Sequence, residues 1–126
     1  MRKSFLLLVV LLMAFFTNGK AQSLQNTSWK MYIGEVNDTL TIHIGKDSSY
    51  VTDSGGEVVV RSLCKITKDT LNLLDYEGKY ACPNDNGVYK ITVTADALNF
   101  KLIKDSCEGR VGSLDGSKWI RTAEKK

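Results

Sequence analysis

The sequence predicts an all-β protein, an eight-stranded antiparallel up-and-down barrel, with a two-sheet β-sandwich as the alternative. Apolar and polar residues alternate at period two along most of the chain, and no segment keeps the helical period over three turns. The apolar runs are joined by tight turns rather than by long crossovers, which suits a meander that closes on itself. With eight strands, the interior holds either packed side chains or one small ligand.

Taken in order, Trp29, Met31 and Ile33 alternate with Lys30 and Tyr32, and Leu40, Ile42 and Ile44 alternate with Thr39, Thr41 and His43. Gly45 to Ser48 turns the chain into a third strand around Tyr50, and Asp53 to Gly56 turns it again. In the fourth strand Val58, Val60, Ser62, Cys64 and Ile66 share one face, opposite Val59, Arg61, Leu63 and Lys65. The charges put that second face outside. Lys68-Asp69 turns into Leu71 and Leu73, and a longer loop, Asp75 to Asn86, carries the single proline, Pro83. The last short strand, Ser117 to Thr122, contains Trp119 and Arg121.

The register of the hairpin between them is legible. Val93 with Leu98, Ile91 with Phe100 and Tyr89 with Leu102 share one index sum, as a single antiparallel register with a common buried face requires. Cys82 with Cys107 falls two short of that sum, so extending the strands brings these cysteines together, and a Cys82–Cys107 disulfide is expected. Cys64 is left over, read as a buried free thiol rather than an intermolecular link.

Arg2-Lys3, an apolar run from Phe5 to Phe16, and small residues at Gly19 and Ala21 form a secretory signal pattern, with cleavage after Ala21 and a mature domain over 22–126. The run is too short for a membrane span, which needs about 20 residues. Gln22 follows the cleavage point where a lipoprotein would carry cysteine. The expected location is exported, periplasmic or extracellular. The leader takes Arg2, Lys3 and Lys20 from the 17 Lys+Arg and nothing from the 14 Asp+Glu, leaving 14 of each. A neutral mature chain lacks the basic footprint of a nucleic-acid binder. The 105 residues after the leader suffice for one core and one domain, with a frayed end from Ala123.

Leu24-Gln-Asn-Thr27-Ser28-Trp29-Lys30, the Cys82 ahead of Gly87-Val-Tyr89, and the Asp105-Ser-Cys107-Glu-Gly-Arg110 stretch followed by Leu114 and Trp119 carry a family likeness. Together they resemble small secreted bacterial lipocalin-like proteins across essentially the whole mature chain. The resemblance implies a calycin-type barrel closed at one end by Trp29, with a C-terminal arginine packed on its ring, Arg110 as first candidate and Arg121 as second. The chain departs from the family's Gly-x-Trp, having Thr27-Ser28-Trp29 instead, and is too short for the helix that flanks longer lipocalins.

The expected function is that of a binding module holding a small, mostly apolar molecule. Its candidate lining is Met31, Ile33, Leu40, Ile42, Tyr50, Val58, Val60, Ser62, Leu73, Tyr89, Ile91, Phe100 and Leu102, with Ser62 and Tyr50 orienting the ligand. The alternative is a filled barrel that engages an envelope protein partner through the Tyr76 to Asn86 loop, as an interaction or stress module, with Tyr32, Tyr76 and Tyr80 exposed. No catalytic constellation is visible and an enzyme is not expected. His43 lies outward between isoleucines, Asp105 and Glu108 read as capping and salt-bridge residues, and Pro83 to Gly87 reads as a turn rather than a calcium loop. No cofactor is called for, and the scattered cysteines make a zinc site unexpected.

Overall fold

The computed structural model describes residues 24–122; the expected leader with its cleavage site and the chain end expected to fray lie outside the described residues. Eight strands follow one another, β1 (Thr27–Ile33), β2 (Asp38–Ile44), β3 (Ser48–Thr52), β4 (Val58–Thr67), β5 (Thr70–Glu77), β6 (Asn86–Val93), β7 (Ala97–Lys104) and β8 (Lys118–Arg121). Each pairs antiparallel with its neighbour in sequence, and β8 pairs with β1 through Trp29↔Arg121 and Lys30↔Ile120, which closes the barrel. Closure leaves no free edge strand, although the short β8 covers only part of β1 and of β7. The sandwich alternative is thereby excluded.

The β6–β7 hairpin has the expected register, Val93↔Leu98, Ile91↔Phe100 and Tyr89↔Leu102. Beyond Tyr89 the register shifts, with Val88 opposite Lys104, so the two strands do not run in one register out to the cysteines. Cys82 and Cys107 lie outside the strands, yet they are disulfide-bonded with their Cα atoms 6.1 Å apart. The free Cys64 is buried on the inner face of β4.

Three expectations need correction. A bulge opposite Val51 and Thr52 pairs Thr52 with Val58 and Val51 with Val60, leaving Val59 as the extra residue. An inserted residue reverses the alternation on its far side. Val59 is therefore fully buried instead of outward, and Val58 is only half-buried. The glycine after β5 fits against this bulge, for Gly78 has φ +122° and a Cβ there would come within 2.2 Å of the Val59 carbonyl oxygen. Second, Asp75 is not the start of a loop: β5 continues to Glu77 and buries the carboxylate on its inner face. Third, a short helix, α1 (Glu108–Leu114), does cross one end of the barrel between β7 and β8. It spans two turns, below the three-turn window in which helical periodicity shows in sequence.

Among the described residues, no helix is long and apolar enough to cross a membrane.

Candidate functional site

The barrel interior is filled on one side and open on the other. Along β6, β7 and β8, Tyr89 meets Phe100 edge-on at a centroid distance of 6.2 Å, and Phe100 meets Trp119 in the same manner at 6.4 Å. Trp119 is the partition: its other side borders a cavity of about 330 Å3 enclosed mainly by β2 to β5. That volume lies at the lower end of the roughly 300–1,000 Å3 range of small-molecule sites. Ile33, Val36, Leu40, Ile42, Val51, Val60 and Leu73 supply aliphatic wall from the strands and the β1–β2 turn, and α1 lies at the mouth with Arg110 and Leu114, leaving the cavity partly open.

Of the lining expected from sequence, Ile33, Leu40, Ile42, Val60, Ser62 and Leu73 reach the cavity. Tyr89, Ile91 and Phe100 are buried in the packed half, and Met31 and Leu102 pack against it half-buried. Tyr50 is a correction: it is 40% exposed on the outer face, opposite Arg61, and Ser49 and Val51 take the inner positions of β3. Val58 lies outside the cavity for the bulge reason above. The outward aromatic is explained by His43, whose ring stacks on Tyr50 at 4.4 Å and 11°. His43 is half-buried, with Nδ1 3.0 Å from Ser28 Oγ and Nε2 2.9 Å from Thr52 Oγ1, so it ties β1, β2 and β3 together on the outside. Burial lowers its pKa below the usual imidazole value.

The polar centre of the cavity is Arg110. Its Nε and Nη2 form a fork on Asp105, at 2.6 and 2.8 Å, and Nη2 also donates to the Asp85 carbonyl at 2.7 Å. Nη1 lies 3.1 Å from Asp75 Oδ2, close enough for charge attraction but not aligned for a hydrogen bond. Among the described residues, this Nη1 is the one buried side-chain nitrogen or oxygen lacking a hydrogen-bond partner. Asp75 itself accepts from Ser62 Oγ at 2.6 Å and from the Cys82 backbone N–H at 2.9 Å. Asp105 accepts in addition from Tyr89 Oη at 2.6 Å and from the Cys107 N–H at 3.0 Å.

Burial works against the Asp105 charge, but the hydrogen bonds from Arg110 and Tyr89 outweigh it and hold the carboxyl below the usual range. The same burial, with Tyr89 donating to a carboxylate, pushes the Tyr89 phenol well above its ordinary value. Gly87 makes the arrangement fit, since a Cβ there would stand 2.7 Å from Asp105 Oδ2 and 2.9 Å from Arg110 Nε. Cys107 caps α1, its Sγ accepting from the Arg110 N–H at 3.4 Å, so the disulfide holds the helix that carries the arginine.

Arg110 is thus not the arginine on Trp29, which corrects the first candidate. Arg121, directly opposite Trp29 across the β1–β8 pair, places its guanidinium carbon 5.5 Å from the Trp29 ring centroid. Asp75 was missed as a site residue, although a signal was there: Leu71, Leu73 and Asp75 share the inward phase of β5. Asp105 does act as a salt-bridge and capping residue. Glu108 is exposed at the cavity mouth. No cluster of three or more His, Cys, Asp or Glu suited to a metal occurs among the described residues.

No protein-family model matches the chain, and neither a curated protein nor a solved structure matches it.

Proposed function

We propose that this protein is an exported, periplasmic or extracellular, lipocalin-like carrier that holds one small, mostly apolar molecule inside its barrel. The partly open cavity of about 330 Å3 carries the reading, because an interior ringed by eight strands, with a helix at one end, is filled by aromatic packing on one side only. Aliphatic walls with a few placed polar groups are the usual makeup of a small-molecule site. Support for export comes from the leader pattern at residues 1–21 and from the disulfide, a bond that persists in oxidising compartments. Native mass spectrometry of protein purified from its host's envelope fraction tests the carrier reading. A discrete added mass released on denaturation is expected; apoprotein that stays ligand-free after soaking with lipids and other apolar compounds overturns it.

A second reading draws on the loop between β5 and β6. It is anchored by Cys82, and it and the end of β5 present Tyr80 and Tyr76 at 42% and 53% exposure, which suits a rigid epitope for an envelope protein. On this reading, alanine at both tyrosines abolishes crosslinking to that partner. An unchanged set of crosslinks overturns it.

A further inference from the structure

Because each strand reverses the one before it, the β1–β2, β3–β4 and β5–β6 connections gather with α1 at one end of the barrel, and the cavity opens there. The rim at that end is acidic. Glu35, from the β1–β2 turn, and Glu108, from α1, are exposed lining residues, and a Cβ on Gly112 would lie 3.7 Å from Glu35 Oε1. Glu108 precedes Gly112 by one helical turn, about 5–6 Å at the Cβ positions, so the two carboxylates border one stretch of rim. Neither forms a salt bridge among the described residues. A Cβ at Gly109 would meet no atom within 4 Å, which leaves room beside Glu108. Tyr80 brings an aromatic ring to the same cavity, and that ring already receives a cation, the Lys79 ammonium, 5.2 Å from its centroid. Lys79 is itself paired with Glu57 at 3.3 Å, so it does not neutralise the rim.

Further in, the excess charge has the same sign. Arg110 is the one basic residue among the described lining, and its guanidinium is committed to Asp105, to the Asp85 carbonyl and to Asp75. Two buried carboxylates share that single cation, which leaves one negative charge over. An anionic head group therefore finds no accessible donor on Arg110 and meets like charges in a poorly solvated site, where they disfavour it strongly. A hydroxyl brings no charge to answer the field. An alkylammonium does, and at the exposed rim its head keeps part of its water, so the full cost of burying an ion pair is not incurred.

We infer that the cavity selects a cationic amphiphile, an alkylammonium whose head sits between Glu35 and Glu108 at the rim, and that it rejects the carboxylate of the same length. This selectivity rests on the carrier reading and names the ligand class of that same site. The alkyl chain lies against Leu40, Ile42, Val60 and Leu73, and the Tyr80 ring adds a face for the head. The exposed carboxylates also draw cations to the mouth and repel anions during entry.

Isothermal titration of the mature, disulfide-intact protein with octylammonium, octanol and octanoate at low salt tests this. Octylammonium is expected to bind about tenfold more tightly than octanol, with octanoate the weakest of the three. Raising the salt to about 1 M, where the Debye length falls to about 3 Å, is expected to erase most of that advantage. Glu35→Gln combined with Glu108→Gln changes two exposed positions, which the fold tolerates, and is expected to lower the octylammonium-to-octanol ratio by about tenfold. A merely structural effect of the double substitution would move all three affinities together, and an unchanged ratio overturns the inference. Equal affinities in the unaltered protein, or preference for octanol or octanoate, overturn it as well and leave the carrier reading standing. Binding of none of the three overturns both.

Discussion

The Trp29 indole N–H donates to Thr27 Oγ1 at 2.9 Å, two residues back on the same inward face of β1. Both side chains are buried, and Thr27 Oγ1 in turn donates to the Leu24 carbonyl. The same device recurs at β8, where Trp119 Nε1 donates to Ser117 Oγ at 2.9 Å and Ser117 Oγ donates to the Leu114 carbonyl. Thr27 therefore satisfies an indole that a glycine at this position would leave to another partner. Thr27→Val keeps the shape and removes the acceptor, and it is expected to cost about 1–3 kcal/mol, read as a lower urea midpoint with an unchanged slope. Thr27→Gly, which removes the same acceptor, is expected to be no less destabilising.

The two arginines should separate cleanly. Arg121→Ala removes a cation over the Trp29 ring and is expected to cost about 0.5–2 kcal/mol, with a shift in tryptophan emission. Arg110→Ala leaves Asp75 and Asp105 buried without their cation and is expected to cost about 3–5 kcal/mol, without passing through Trp29. Equal losses in denaturant unfolding would contradict this assignment.

Reduction of the Cys82–Cys107 bridge, which closes a separation of 25 residues, is expected to cost about 2–4 kcal/mol. Peptide mapping should join these cysteines and leave Cys64 free. Burial pushes the Cys64 thiol up to about 11, so it should resist alkylation at neutral pH in the folded protein and react once unfolded. A Cys64-containing bridge would refute the pairing.

The Tyr89–Asp105 pair contributes to stability at both ends of the pH range. The Asp105 carboxyl titrates lower folded than unfolded, so its contribution is present above the unfolded value near 3.9 and is lost as pH falls toward the folded value. The Tyr89 phenol titrates higher folded than unfolded, so its contribution is present below about pH 10 and is lost as pH rises beyond it. Urea unfolding across pH is expected to show Tyr89→Phe flattening the alkaline decline and Asp105→Asn flattening the acid one. A Tyr89→Phe profile that still declines as steeply above pH 10 would remove Tyr89 from this role.

The Cys82–Cys107 pairing is expected from the extended β6–β7 register and is present, although that register shifts beyond Tyr89 and both cysteines lie outside the strands. Strand count, up-and-down order and the register at Val93↔Leu98 and its two neighbours were legible in the residues alone. These are properties of local alternation, turn chemistry and near neighbours in the meander, which period-two patterning records directly. What the tertiary structure decided depends on departures from that period and on contacts between distant segments. A single extra residue at Val59 moved Val58 off the inner face, and the β2–β3 pairing put Tyr50 on the outside beside His43. The fork of Arg110 on Asp105 needs the absent side chain of Gly87, its neighbour Asp75 arrives from β5, and the choice between Arg110 and Arg121 for Trp29 follows from which strand closes on β1. Whether an inward side chain packs or borders open space is likewise settled by the volumes facing it across the barrel. Alternation along one strand carries no record of those volumes.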